Sequence, residues 1–304
     1  MNGKLLQPAI GVVLWSLVAL APWDPNRGIG TIEKLFLIGP LVVVPLGLQL
    51  AGVDHPWLLL IAAIGVAISF LASTGMIAGM IVIPWLMMCN WIAVNALRQF
   101  RVHGALSTQR LGETCRLVAM IGLVVGGVGL LRSRWGMEPM GFHEPLVLLV
   151  AVHFHFAAFV TPLMAAEVVE RMRDESQRMK WILALCAVAG SPLLAGGYVL
   201  HIRGLRLMGA TLLVAALVIM AAWMLRNLRA IESFTARLLL GVSAMSAVVA
   251  MIYAGVYALA DFLGVVWVAI PQMARTHGVL QAVGFSVCGL LGWVIAGNKN
   301  ELRL

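Results

Sequence analysis

Two histidines, His153 and His155, stand near the middle of the apolar run AVHFHFAAFVTP (Ala151–Pro162), within a stretch long enough to cross a bilayer. Ionisable groups at that depth are costly and normally face a bundle interior or a water-filled cavity, which makes them the first candidates for chemistry. Thr161 adds a hydroxyl to the same run. Two side chains at i, i+2 on a regular helix point about 200° apart, so His153 and His155 cannot ligate one ion together. The usual helical zinc arrangement uses i, i+4 instead. Acid–base work suits these residue types better, because histidine and carboxyl groups removed from water can act as proton donor and acceptor near neutral pH. The plainer alternative for His155 is a ring whose nitrogens simply bond a neighbouring helix.

A second set of polar residues lies near the C-terminus. Ser243, Ser246, Tyr253, Tyr257 and Asp261 fall within about 80° of one another at 100° per residue. Lipid cannot satisfy such a stripe, so it should face protein or a cavity. The serines alone would serve close helix contact. Further on, His277 and Gln281 form an i, i+4 pair on one face, beside Gly278, Ala282, Phe285 and Gly289, which suit tight packing. Between these segments, FLGVVWVAIPQ (Phe262–Gln272) is too apolar for an ordinary loop and too short to span; it reads as an interfacial or re-entrant lid carrying Trp267. Glu33 opens an earlier apolar run. The candidate catalytic set is therefore His153, His155, Asp261, Glu33 and His277. Tyr253, Tyr257, Gln281, Trp267 and Thr161 are the candidate substrate contacts.

The elements that must position these residues are apolar blocks. The chain has 304 residues, 62% hydrophobic and 11% charged, with a mean hydropathy of +0.97. A soluble domain is nearer half apolar and a quarter charged. Ten blocks are read, at about 5–22, 33–52, 57–72, 76–97, 115–131, 145–166, 181–201, 207–225, 238–261 and 276–296, the third and fifth being short. The expected fold class is all-α: a polytopic integral membrane helical bundle of about ten transmembrane helices, forming a single transmembrane domain over 1–304 with no soluble domain. Of the 21 Lys and Arg residues, fourteen fall in one set of alternate gaps and seven in the other, which places both termini in the cytoplasm. In that orientation His153 lies about 12 Å and His155 about 15 Å from the outer surface. Lys4, an apolar run and Ala19-Leu20-Ala21 imitate a signal peptide, but Pro22 after the cut argues for a retained first span. Pro40, Pro45, Pro84, Pro162 and Pro192 lie inside spans and should kink them.

Composition also excludes. The net charge of +8 sits in gaps between spans, where it sets topology and meets anionic lipid, leaving no groove-sized basic surface for nucleic acid. Four separated cysteines form neither CxxC nor a Cys/His metal spacing and read as apolar packing residues. Clustered aspartates for magnesium diphosphate chemistry, a Gly-rich phosphate loop and a GxSxG serine are all missing from the sequence. No cofactor or metal is expected.

Three stretches together, IEKLFLIGPLVVVPLGL, HFHFAAF and HGVLQAVGF…GLLGW, resemble in order the bacterial YndJ-like family of multi-span membrane proteins. That family's pattern carries an HFHYAGF-type stretch and a C-terminal HG-x-LNA-x-GF stretch. The resemblance points to Glu33, His153, His155, His277 and Gly278. This chain departs from it with Phe156 in place of Tyr, Ala158 in place of Gly and Gln281 in place of Asn. It implies a polytopic bacterial membrane protein, located in the cytoplasmic (inner) membrane, and adds little about activity.

Three function classes stay open. One is a membrane-embedded acid/base enzyme acting on a lipophilic, isoprenoid- or lipid-like substrate. There Asp261 or Glu33 would donate a proton, His153 and His155 would position or accept it, and the aromatic residues would line the cage. Another is a proton-coupled transporter of a small or amphipathic solute, with the histidines and Asp261 as the relay. The third is a non-catalytic accessory membrane protein. Membrane lipids and a lipophilic small molecule are the expected partners. A fully packed HFH site would favour the accessory reading, and a lipid-filled polar pocket the enzyme.

Overall fold

The computed structural model of the chain describes residues 5–20, 30–54, 56–102 and 110–297. Lys4, Ala21 and Pro22, on which the signal-peptide question turns, lie outside the described residues, as do both chain ends. Among the described residues the regular structure is entirely helical. In order come α1 (Leu6–Leu20), α2 (Thr31–Leu50), α3 (Trp57–Ser69), α4 (Met76–Phe100), α5 (Leu111–Trp135), α6 (Leu146–Arg171), α7 (Gln177–Val199), α8 (Arg203–Ala230), α9 (Phe234–Leu263) and α10 (Ile270–Gly297). Eight of these are long and apolar enough to cross a membrane, while α1 and α3 are shorter apolar helices. The chain is thus a polytopic helical membrane protein.

Each apolar block of the sequence has become a helix, and several helices run beyond the block at one or both ends. The fifth block is not short: α5 runs 25 residues, because Leu111–Thr114 and Arg132–Trp135 also belong to its turns. The sixth continues past Ala166 to Arg171, carrying Glu167 and Glu170 inside the helix. Arg134 in the first extension and Glu167 and Glu170 in the second have polar partners, described below, that offset their cost in an apolar setting. The stretch read as a lid is the turn joining α9 to α10. Gly264 ends α9 with φ +75°, a conformation that favours glycine, and α10 begins at Ile270. Trp267 lies exposed in that turn.

By internal contacts the chain forms two compact units, Met1–Val102 with Met120–Phe156, and His103–Ala119 with Ala157–Leu304. The first is built around α2. Phe36, Leu37, Leu41, Val43, Val44 and Leu48 are wholly buried, since α2 is apolar on every face and is surrounded by other helices. Pro40 sits in a widened π-helical turn, Gly39–Val43, which absorbs its missing N–H. Lys34 Nζ donates to Ala19 O at 3.1 Å and Trp15 Nε1 to Lys34 O at 2.7 Å, tying α1 to α2. Arg134 closes the end of α3 by donating from Nη2 to Ser69 O and Ala72 O, both at 2.8 Å, while lying 4.5 Å over the Phe70 ring. These are carbonyls that a helix end leaves without partners.

The second unit packs through small residues, as membrane helices do when backbones approach closely. Gly190 of α7 faces Leu213 of α8, and Gly209 of α8 lies against the Leu194 backbone. A Cβ on Gly209 would stand 2.7 Å from both Gly190 O and Leu194 Cα. G209A is therefore expected to force α7 and α8 apart and to lower stability by about 1–3 kcal/mol. Denaturant unfolding in micelles checks this, and a change within about 0.5 kcal/mol would contradict it. Between α9 and α10, Ser243 Oγ donates to Phe285 O at 2.9 Å, and Gly284 and Gly289 meet Ser246 and Ser243. The serine half of the polar stripe is spent on helix packing. Residues 274–278 and 280–287 of α10 take π-helical turns.

Candidate functional site

In the first unit, His155 lies in the N-terminal half of α6 and is 0% exposed. Its Nδ1 is 2.8 Å from Ala151 O, so that nitrogen carries the proton and donates it. Its Nε2 accepts from Trp85 Nε1 at 3.1 Å. Those two bonds fix one neutral tautomer and use both ring nitrogens. Phe36 meets the ring edge-on at 5.2 Å between centroids, and Trp85 stacks over it at 5.9 Å. Glycines make the space: a Cβ on Gly126 would stand 2.6 Å from His155 Nδ1, and one on Gly39 would stand 3.5 Å from His155 Cβ. His155 fills a closed socket.

The other sequence candidates of this unit do not join it. His153, two residues earlier, turns to the opposite side, exposed on the helix exterior, with Nδ1 donating to Leu149 O at 2.8 Å. Glu33 occupies the first turn of α2, beside Gly30, where a carboxylate complements the helix N-terminus. His155 touches α2 at Gly39, six residues and about 9 Å further along.

The second unit holds Thr161, Tyr253, Tyr257, Asp261, Trp267, His277 and Gln281. Asp261 Oδ2 lies 3.2 Å from Arg206 Nε, an ion pair by distance but without hydrogen-bond alignment. The Arg206 guanidinium is 4.9 Å over the Tyr198 ring, and the Tyr198 and Tyr257 phenols lie within hydrogen-bonding reach of each other. The result is a half-buried chain, Asp261–Arg206–Tyr198–Tyr257, at one end of α7, α8 and α9. His277 does not belong to it. Its Nδ1 donates to Ala250 O at 3.0 Å, eleven residues and about 16 Å down α9 from Asp261. Thr161 is buried, Tyr253 and Gln281 are half-buried, and the Gln281 carbonyl accepts from Ser286 Oγ at 2.7 Å.

Sequence reasoning missed a denser set at the other end of these helices. Glu167 joins two arginines: its Oε1 accepts from Arg116 Nη2 at 2.8 Å and its Oε2 from Arg171 Nη1 at 2.5 Å. Arg116 also grips Glu170 with both Nη atoms, Nη2 to Oε2 at 2.7 Å, a fork-to-fork pairing. Arg171 lies 4.4 Å over the Trp293 ring. Beside that pair opens a cavity of about 270 Å³, lined by Trp223, Leu240 and residues of the connection from α6 to α7. The i, i+4 spacing of Glu167 and Arg171 was the available signal, hidden because hydropathy alone ended the span at Ala166. Among the described residues no group of three or more His, Cys, Asp or Glu is placed to hold a metal ion.

The sequence model of the family described as "YndJ-like protein" matches residues 34–285, most of the chain, which belongs to that family. It is similar to the "Uncharacterized membrane protein YndJ" of Bacillus subtilis (strain 168), 26% identical over 207 residues. That match covers 68% of this chain and 36% of the relative, so the chain spans about a third of that protein's length. No solved structure matches.

Proposed function

We propose that the chain is a non-catalytic accessory component of the bacterial cytoplasmic membrane and not an enzyme working through His155. One observation supports this best: the closed hydrogen bonding of His155. A general base needs a free nitrogen facing its substrate, and a general acid needs a proton it can release there. The Nε2 of His155 is bonded to an indole, its Nδ1 proton to a carbonyl, and neither faces an opening. The HFH run then acts as a lock between α2, α4, α5 and α6.

The second reading, a proton-coupled carrier, draws on the Arg206–Asp261 pair with its two tyrosines, since a half-buried carboxylate beside an arginine suits a relay. Proteoliposomes enclosing a pH-sensitive dye separate the two. The accessory reading expects proton flux at the level of protein-free vesicles, identical for D261N, and vesicle lipids unchanged in mass after incubation. Flux that D261N abolishes would overturn it in favour of the carrier. A lipid product that H155Q abolishes while keeping its fold would restore the enzyme.

A further inference from the structure

We infer that the cavity beside Arg171 and Trp293 is a binding site for the phosphate-bearing head group of a membrane lipid. Two buried donors point to it. Arg171 and Trp293 both line the cavity, and Arg171 Nε and Trp293 Nε1 are buried with no hydrogen-bond partner within the protein. Trp293 is only 2% exposed. Neither atom can accept a hydrogen bond, so both require an acceptor, and a buried donor left without one is costly. The guanidinium itself is held in place. Its Nη1 donates to the carboxylate and backbone carbonyl of Glu167 at 2.5 and 2.9 Å, and its face lies on the indole. What remains is a fixed N–H edge beside an indole N–H.

The surroundings specify the ligand further. Glu175 and Asp174 stand on the same lining, where they accept from hydroxyl or ammonium groups and repel a bare anion; Glu175 is also paired with Arg226 at 2.8 Å. Phosphate oxygens for the two donors, with hydroxyl or ammonium groups for the acids, are the chemistry of a glycerol- or ethanolamine-type phosphodiester. Trp223 and Leu240 supply an apolar wall on the remaining side. The site lies at the ends of α6, α8 and α10 and the beginnings of α7 and α9, the level at which head groups lie against membrane helices. A volume of about 270 Å³ is at the small end for ligand sites, so it holds a head group while the acyl chains run outside. This inference stands apart from the accessory reading, and neither test decides the other.

The test uses the full chain, delipidated in detergent, with dihexanoylphosphatidylglycerol as probe and native mass spectrometry as readout. One saturable equivalent is expected. W293F keeps a ring under Arg171 but removes the N–H, and should weaken binding about tenfold while the variant stays folded. If W293F loses its fold, R171K replaces it, preserving a cation for Glu167 without the Nε edge. Parent-like affinity in the folded variant would overturn the proposal, as would equal binding of dihexanoylglycerol, which lacks phosphate. Equal binding of glycerol 1-phosphate would overturn the lipid assignment and name a soluble phosphate ester as the source.

Discussion

H155A is expected to lower the stability of the folded protein by about 3–5 kcal/mol, measured as the shift in denaturant-induced unfolding in mixed micelles. Two losses combine. Truncating a large buried side chain leaves a cavity that the rigid helices α2, α4 and α5 fill only in part. The Trp85 indole N–H, which donates to His155 Nε2, is stranded away from water. Ala151 O still accepts from the helix ladder, so its loss is slight. H155Q, which returns an acceptor of similar reach, should recover part of the loss. The interaction with Gly126 is a sharper check. A Cβ there would stand 2.6 Å from His155 Nδ1 and 2.8 Å from Cε1, so G126A should displace the ring and cost about 1–3 kcal/mol. In the H155A background the same methyl enters vacated space. The two changes must therefore be less than additive, with a coupling of about 1 kcal/mol or more. Strict additivity would mean that the ring does not occupy this socket and would sink the lock reading.

How far the sequence foretold all this depends on the range of each interaction. Helix positions follow from hydropathy, a local property, and every apolar block from Leu6 to Gly297 is a helix. The divergence of His153 and His155 was equally legible, because 100° per residue puts one on each side. What the two sides meet was not legible. The partner of His155 is Trp85, seventy residues away, and no local pattern announces that pairing. Asp261 and His277 bracket one turn in sequence, yet His277 bonds Ala250 O and Asp261 pairs with Arg206, since α10 runs back down α9 before His277 is reached. The boundaries failed where charge lies inside a helix. A hydropathy window scores Glu167, Glu170 and Arg116 as three penalties. In the fold Arg116 and Arg171 balance the two carboxylates, and the helices run through them.

That network carries the second large effect. E167A is expected to cost about 3 kcal/mol and E170A no more than about 1, although both carboxylates contact Arg116. Burial makes the difference. The Glu167 side chain is 5% exposed and joins two arginines, whereas that of Glu170 is 43% exposed and water replaces much of what its removal takes away. Without Glu167, Arg171 keeps its position on Trp293 but loses its carboxylate, and a partly buried cation without a counter-charge is the expensive product. The remedy follows from the same reasoning. In E167L/R171M both the orphaned cation and its missing partner are gone, and Arg116 with Glu170 remains as a neutral pair. The double variant should therefore be more stable than E167A alone. Equal costs for E167A and E170A in micelle unfolding would show that the charges are solvated alike. In that case the helical extension of α6 to Arg171 would owe nothing to their pairing.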